Sequence, residues 1–206
     1  RAQGYVRCVA SAIVQEIRQP GAPRSWEVVV FQDDSANAFA LPGGKIGVHT
    51  GLFQVARNQD QLAAVIGHEV AHVLAGHSNE RASTTLATQG ALGALEALSG
   101  PASPAKSRTL AVLGVGAQVG VLLPFSRAQE TEADVLGLEL MARAGFDPRA
   151  GPALWQNMAQ LGGSGPEFLS THPSSGSRIQ ALQNQVPKVL PLYQQAQAAG
   201  KRPRCG

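Results

Sequence analysis

Apolar residues recur every three or four positions along 5–19, where Tyr5, Val6, Val9, Ile13, Val14 and Ile17 form one stripe. That spacing predicts a helix, ended by Gln19-Pro20-Gly21. The β-branched and aromatic run from Trp26 to Phe31 predicts a strand. Asn37-Ala38-Phe39-Ala40-Leu41 and Lys45-Ile46-Gly47-Val48-His49 flank Pro42-Gly43-Gly44, which predicts two strands joined by a tight glycine turn. Asn58 followed by Gln61 reads as a capping box, opening an apolar helix that runs to about Arg81. Residues 82–98, rich in Ala, Leu and Gly, predict a second helix or a continuation of that one.

Ser99-Gly100-Pro101-Ala102-Ser103-Pro104 breaks the pattern and reads as a mobile surface loop. Leu110 to Leu123 is nearly all apolar, yet shorter than the roughly 20 residues that a bilayer span needs, so it reads as a buried helix. Pro124 ends it. A helix then opens at Ser126 and lasts to about Arg143, closed by Gly145. Asp147-Pro148 predicts a helix over 148–161, with proline at its first position. Gly162 to Pro166 reads as a flexible loop, Ser170 to Ser174 leads into a helix carrying Arg178, and a proline-bounded Gln/Ala-rich helix closes the chain. The sum is an α+β fold, mostly helical, with a small sheet or hairpin beside the long apolar helix. No repeat divides it, and 1–206 is expected to form a single domain.

Composition narrows the partners. Charged residues make up only 15% of the chain and the net charge is +3, and no basic stripe carries interleaved aromatics, so nucleic acid is not an expected partner. The Lys201-Arg202-Pro203-Arg204 tail reads as a solvated end. A start at Arg1 rather than Met is expected of a processed or trimmed product. Cys8 and Cys205 leave two readings open: a disulfide joining the two ends, which implies an oxidising compartment, or two unrelated thiols.

The chemistry lies in Val65-Ile66-Gly67-His68-Glu69-Val70-Ala71-His72-Val73-Leu74. Residues four apart share a helix face, so His68 and His72 can grip one metal ion. Glu69 can then reach a water molecule as a general base, which is the logic of an H-E-x-x-H motif. Glu130 and Asp134 repeat the four-residue spacing. Alone, that pair reads as an ordinary acidic face. Beside the histidine helix, Glu130 can supply a third ligand, and Asp134 can accept the free ring N–H of a ligating histidine. Glu132 is expected to be a solvated charge. His77, five past His72, is expected to be structural, and His49 a surface residue.

His68-Glu69-Val70-Ala71-His72 followed by Glu130-Thr131-Glu132-Ala133-Asp134 resembles the gluzincin zinc metallopeptidases that include the CAAX prenyl protease and the bacterial heat-shock membrane protease. Asn37-Ala38-Phe39-Ala40, Pro42-Gly43-Gly44, Thr50-Gly51-Leu52 and Thr171-His172-Pro173 with Arg178 extend the match from 37 to 178. The chain looks most like the soluble periplasmic branch that tends outer-membrane assembly. The resemblance implies a zincin-like domain in which His68, His72 and Glu130 bind one Zn2+, Glu69 is the base and Asp134 supports the ligands. It also implies catalytic roles for His172 and Arg178, with His172 either stabilising an oxyanion or occupying the open coordination position as a latch.

An extended substrate is expected along Asn37, Ala38, Phe39, Ala40 and Leu41, because an edge strand offers unpaired backbone groups. The implied activity is zinc-dependent endoproteolysis of unfolded polypeptides, misfolded envelope proteins among them. The implied location is periplasmic or outer-membrane-associated, and a lipid anchor outside this chain would allow membrane association. The alternative is a chaperone-like binding module latched shut, with little proteolysis.

Overall fold

The computed structural model describes residues 1–98, 125–160, 167–173 and 176–206. The loop expected at 99–104, the buried helix at 110–123 and the loop at 162–166 lie outside the described residues. The rest is mostly helical with one three-stranded sheet, as the sequence predicts.

Helix α1 (Ala2–Val14) buries Val6, Val9, Ala10 and Ile13. It stops five residues before the expected end at 19. The amides of Glu16 and Ile17 bond back only three residues, to Ile13 and Val14, which tightens the last turn. Pro20 further disfavours helical backbone at Gln19. Strands β1 (Glu27–Phe31), β2 (Ala38–Leu41) and β3 (Lys45–His49) form a sheet with β3 in the middle, parallel to β1 and antiparallel to β2. Gly43 and Gly44 turn the hairpin with φ of 89° and 84°, a region that side chains make costly. The two sheet edges differ. On β1 the Gln3 amide donates to the Val28 carbonyl at 2.6 Å and accepts from the Val30 N–H at 2.9 Å. The other edge belongs to β2.

A 3₁₀ turn (Thr50–Gln54) leads to α2 (Gln59–Leu74), buried almost continuously from Gln61 to His72. Asn58 caps it by accepting from the Gln61 N–H at 2.9 Å, but the Gln61 side chain accepts from Arg57 N rather than Asn58 N. The capping box is therefore half formed. Nor does the helix reach Arg81. Gly76 adopts φ 76°, the left-handed conformation that ends helices, and a new helix α3 (His77–Leu98) begins at once.

Helix α4 (Arg127–Arg143) opens with a complete Ser126/Gln129 capping box and closes before Gly145, whose φ is 91°. Helix α5 (Ala150–Gln160) starts two residues later than expected, because Asp147-Pro148-Arg149 forms a turn in which the Asp147 carboxylate accepts from Arg149 N. A short helix α6 (Phe168–Thr171) precedes His172. The tail is one helix, α7 (Gly176–Ala198), not two: Pro187 and Pro191 lie inside it.

Apolar side chains of α1, α2, β2, β3, α4, α5 and α7 share one core, with Ile13, Ile66, Met141 and Met158 fully buried. The crossing of α2 and α4 places the site. A Cβ added to Gly67 would meet the Gly137 carbonyl oxygen at 2.8 Å, and one added to Gly137 would meet the His68 nitrogen at 2.8 Å. Only two glycines let these backbones touch. Cys8 and Cys205 are joined in a disulfide with their Cα atoms 5.5 Å apart, which resolves the two readings in favour of the bridge. Among the described residues no helix is long and apolar enough to cross a membrane.

Candidate metal centre

Helix α2 presents His68 and His72 on one face, α4 brings Glu130 beneath them, and the segment after α6 brings His172. The Nε2 atoms of His68 and His72 are 3.1 Å apart. His172 Nδ1 lies 3.1 Å from His68 Nε2 and 2.8 Å from Glu130 Oε1. Glu130 Oε1 lies 3.2 Å from His72 Nε2. One ligand atom from each of these four buried residues falls within 4.8 Å of all the others. Three imidazoles and a carboxylate are the donor set that suits zinc.

Around this cluster, two further side chains hold the ligands in place. His68 Nδ1 lies 3.0 Å from Asp134 Oδ1. Arg178 clamps Asp134 with Nε and Nη2, both at 2.7 Å, pairs through Nη1 with Glu130, and donates to the Pro173 carbonyl at 3.1 Å. Its guanidinium lies 3.7 Å from the centre of the Trp155 ring. Thus Arg178 ties the His172-Pro173 segment to both carboxylates. Phe168 stacks on His172 with ring centres 4.4 Å apart, and Phe125 lies 4.1 Å from the His72 ring.

The protonation pattern follows from these contacts. Burial opposes charge on His68, but hydrogen bonds to Asp134 and Glu130 overrule it and hold its pKa up at about 9. Burial, with His68 and His172 nearby, pushes His72 down to about 3. Glu130 would rise through burial, yet hydrogen bonds from His172, His68 and His72 keep it well below the carboxylate range. Glu69 is different. Burial raises its pKa, while His172 and His68 pull it back only in part. Its Oε1 makes no hydrogen bond among the described residues, although His172 Nε2 lies 3.3 Å away. A buried carboxylate oxygen left open beside a cluster of metal-type donors fits a base waiting for water.

A cavity of about 400 Å³ opens onto Glu69, His72 and His172. Asn37, Ala38, Phe39, Ala40 and Leu41 also line it, so the expected substrate strand and the cluster share one cavity. Phe39 also lies over Gly47, where any side chain would strike its ring.

The structure therefore brings together every residue singled out for the site, and corrects one neighbour while adding contacts to two more. His49 is not a surface residue: Ser35 Oγ lies 2.8 Å from its Nδ1, and it packs against Phe31 and Phe39. His77 is buried, with its Nδ1 3.0 Å from His72 Nδ1. Glu132 is half in solvent but lies 3.2 Å from His77 Nε2. Gly76, at the end of an apolar run, signals that the face arithmetic stops before His77.

A model of peptidase family M48 matches residues 1–186. Mitochondrial metalloendopeptidase OMA1 of Schizosaccharomyces pombe is 43% identical over 168 residues, covering 80% of this chain and 48% of that protein. The OMA1 of Arabidopsis thaliana is 40% identical over 178 residues, or 84% and 35% of the two chains. The beta-barrel assembly-enhancing protease of Escherichia coli is 31% identical over 202 residues, or 93% and 40%. The chain thus spans about half or less of the length of these relatives. With the cluster, the carboxylate beside it and a family match running from end to end of the site, the chain belongs to peptidase family M48.

Proposed function

We propose that residues 1–206 work as one catalytic domain, a zinc endopeptidase that cuts extended or unfolded polypeptides. The observation that carries this reading is the four-residue donor cluster opening, beside Glu69, onto a cavity walled by β2, an outer strand of the sheet. His68, His72 and Glu130 would hold the ion. The chemistry that zinc supplies when bound is polarisation of a carbonyl and acidification of a water molecule. Glu69 takes that water's proton and returns it to the leaving amine. Asp134 fixes the His68 ring, and Arg178 positions Asp134, Glu130 and the His172 segment. Backbone groups of Asn37–Leu41 pair with the substrate, which gives weak sequence preference.

Misfolded envelope proteins are the substrates we favour. The disulfide suits an oxidising compartment such as the periplasm, and one relative is named for β-barrel assembly.

A second reading, a latched binding module, is favoured by one observation: His172 Nδ1 already sits among the ligand atoms. Casein cleavage by wild type and His172→Ala at equal zinc content separates the two. A latch predicts slow wild type and a faster variant. A fall in the variant assigns His172 to transition-state stabilisation, and both proteins inert while zinc-loaded would sink the protease reading.

Zinc binding should also depend on pH. The raised His68 pKa means that its charged form stabilises the metal-free fold below the ordinary value of 6.5, a contribution lost as pH rises through about 9. Zinc must displace that proton. Affinity should therefore rise about tenfold per pH unit towards pH 9 and level off above it. Chelator competition across that range checks it, and a flat profile would count against His68 as a ligand.

A further inference from the structure

We infer that His77 and Glu132 form a relay of hydrogen bonds that fixes the tautomer and orientation of His72, matching what Asp134 does for His68. The inference rests on the zinc reading above. Both Nε2 atoms of the helix histidines face the cluster, so each ring can be held from outside only through Nδ1. For His68 that atom lies 3.0 Å from Asp134. For His72 it lies 3.0 Å from His77 Nδ1, and His77 Nε2 in turn lies 3.2 Å from Glu132 Oε2.

Proton arithmetic fixes the direction. A ring that offers its Nε2 lone pair inward carries its hydrogen on Nδ1. His72 then donates to His77 Nδ1, and His77 donates from Nε2 to the Glu132 carboxylate. The reverse order would place a hydrogen on His72 Nε2, inside the cluster, and remove the ligand's lone pair.

The fold supplies the relay deliberately. A straight helix would carry the fifth residue past His72 to another face. The left-handed turn at Gly76 restarts the chain so that His77 returns under the ring, where it is 4% exposed. Glu132 lies on the outward face of α4, between buried Glu130 and buried Ala133, and remains 58% exposed. The relay therefore runs from the metal ligand to the surface, and its outer end can be altered without opening the core.

Zinc dissociation constants from chelator competition, with melting temperatures of the zinc-free and zinc-loaded protein, test it. His77→Ala should weaken zinc about 10–100-fold. His77→Gln, whose amide oxygen can still accept from His72, should recover part of that loss. Glu132→Ala should weaken zinc severalfold and Glu132→Gln less, with the zinc-free melting temperature unchanged in both. Wild-type affinity in His77→Ala and Glu132→Ala overturns the relay. If His77→Ala does not fold, the Glu132 variants decide: wild-type affinity in both overturns it, and so does a zinc-free melting temperature that falls in step with affinity, which marks a packing role. A wild type that binds no zinc overturns the zinc reading and the relay together, a result distinct from the others.

Discussion

Glu69→Gln is expected to retain zinc and to lose cleavage of unfolded protein by about 10²–10⁴-fold, the range that a positioned general base contributes. Glutamine keeps the volume and the buried setting, so the cluster of His68, His72, Glu130 and His172 should be undisturbed. What goes is the proton acceptor. Burial raises the Glu69 pKa above that of a solvated glutamate, against the pull of His172 and His68, which makes it a stronger base than an exposed carboxylate. Single-turnover digestion of casein at matched zinc content measures the loss. Wild-type rates in the variant would remove Glu69 from the mechanism.

Arg178→Met should cost about 3–5 kcal/mol of stability in the zinc-free protein, the typical penalty for stranding a buried charge. Arg178 is the cation that faces Asp134 through two 2.7 Å bonds and Glu130 through a third contact. Burial works against the Asp134 carboxylate, and hydrogen bonds from Arg178 and His68 are what keep it ionised. Methionine fills much of the space over Trp155 but pairs with neither acid. Such a loss is a large part of the roughly 5–15 kcal/mol that holds a domain folded. Adding Asp134→Asn should return part of it, because one of the stranded charges is then gone. Urea unfolding of the single and double variants gives the coupling. Equal stability of Arg178→Met and wild type would mean that the pair contributes nothing net.

The sequence disclosed the half of the site that is written in helical periodicity. His68 and His72, and Glu130 and Asp134, each sit four apart, and one face of a helix needs no knowledge of the rest of the fold. His172 and Arg178 were legible only through resemblance, since a histidine before a proline has no local pattern that points inward. His77 was hidden by Gly76: counting residues from His72 assumes a continuous helix, and the left-handed glycine resets the count. Trp155, Phe125 and Phe168 wall the polar cluster, and nothing local in the sequence says so. The tail failed differently. Pro187 and Pro191 are breakers by propensity, but α7 passes through both, with Leu182, Val189 and Ala196 buried along it. Tertiary burial outweighed the local rule.

The contact between Gly67 and Gly137 gives the metal centre its bite. Because backbone meets backbone there, the span from the paired histidines to Glu130 is set by the thickness of two bare helices, with no side chain to adjust it. Ligand swaps would change which atoms are offered, whereas a single methyl at either glycine would change the gap between them. Anyone retuning this centre for a larger or smaller ion has a dial at 67 and 137, one residue from His68 and two turns along the helix from Glu130.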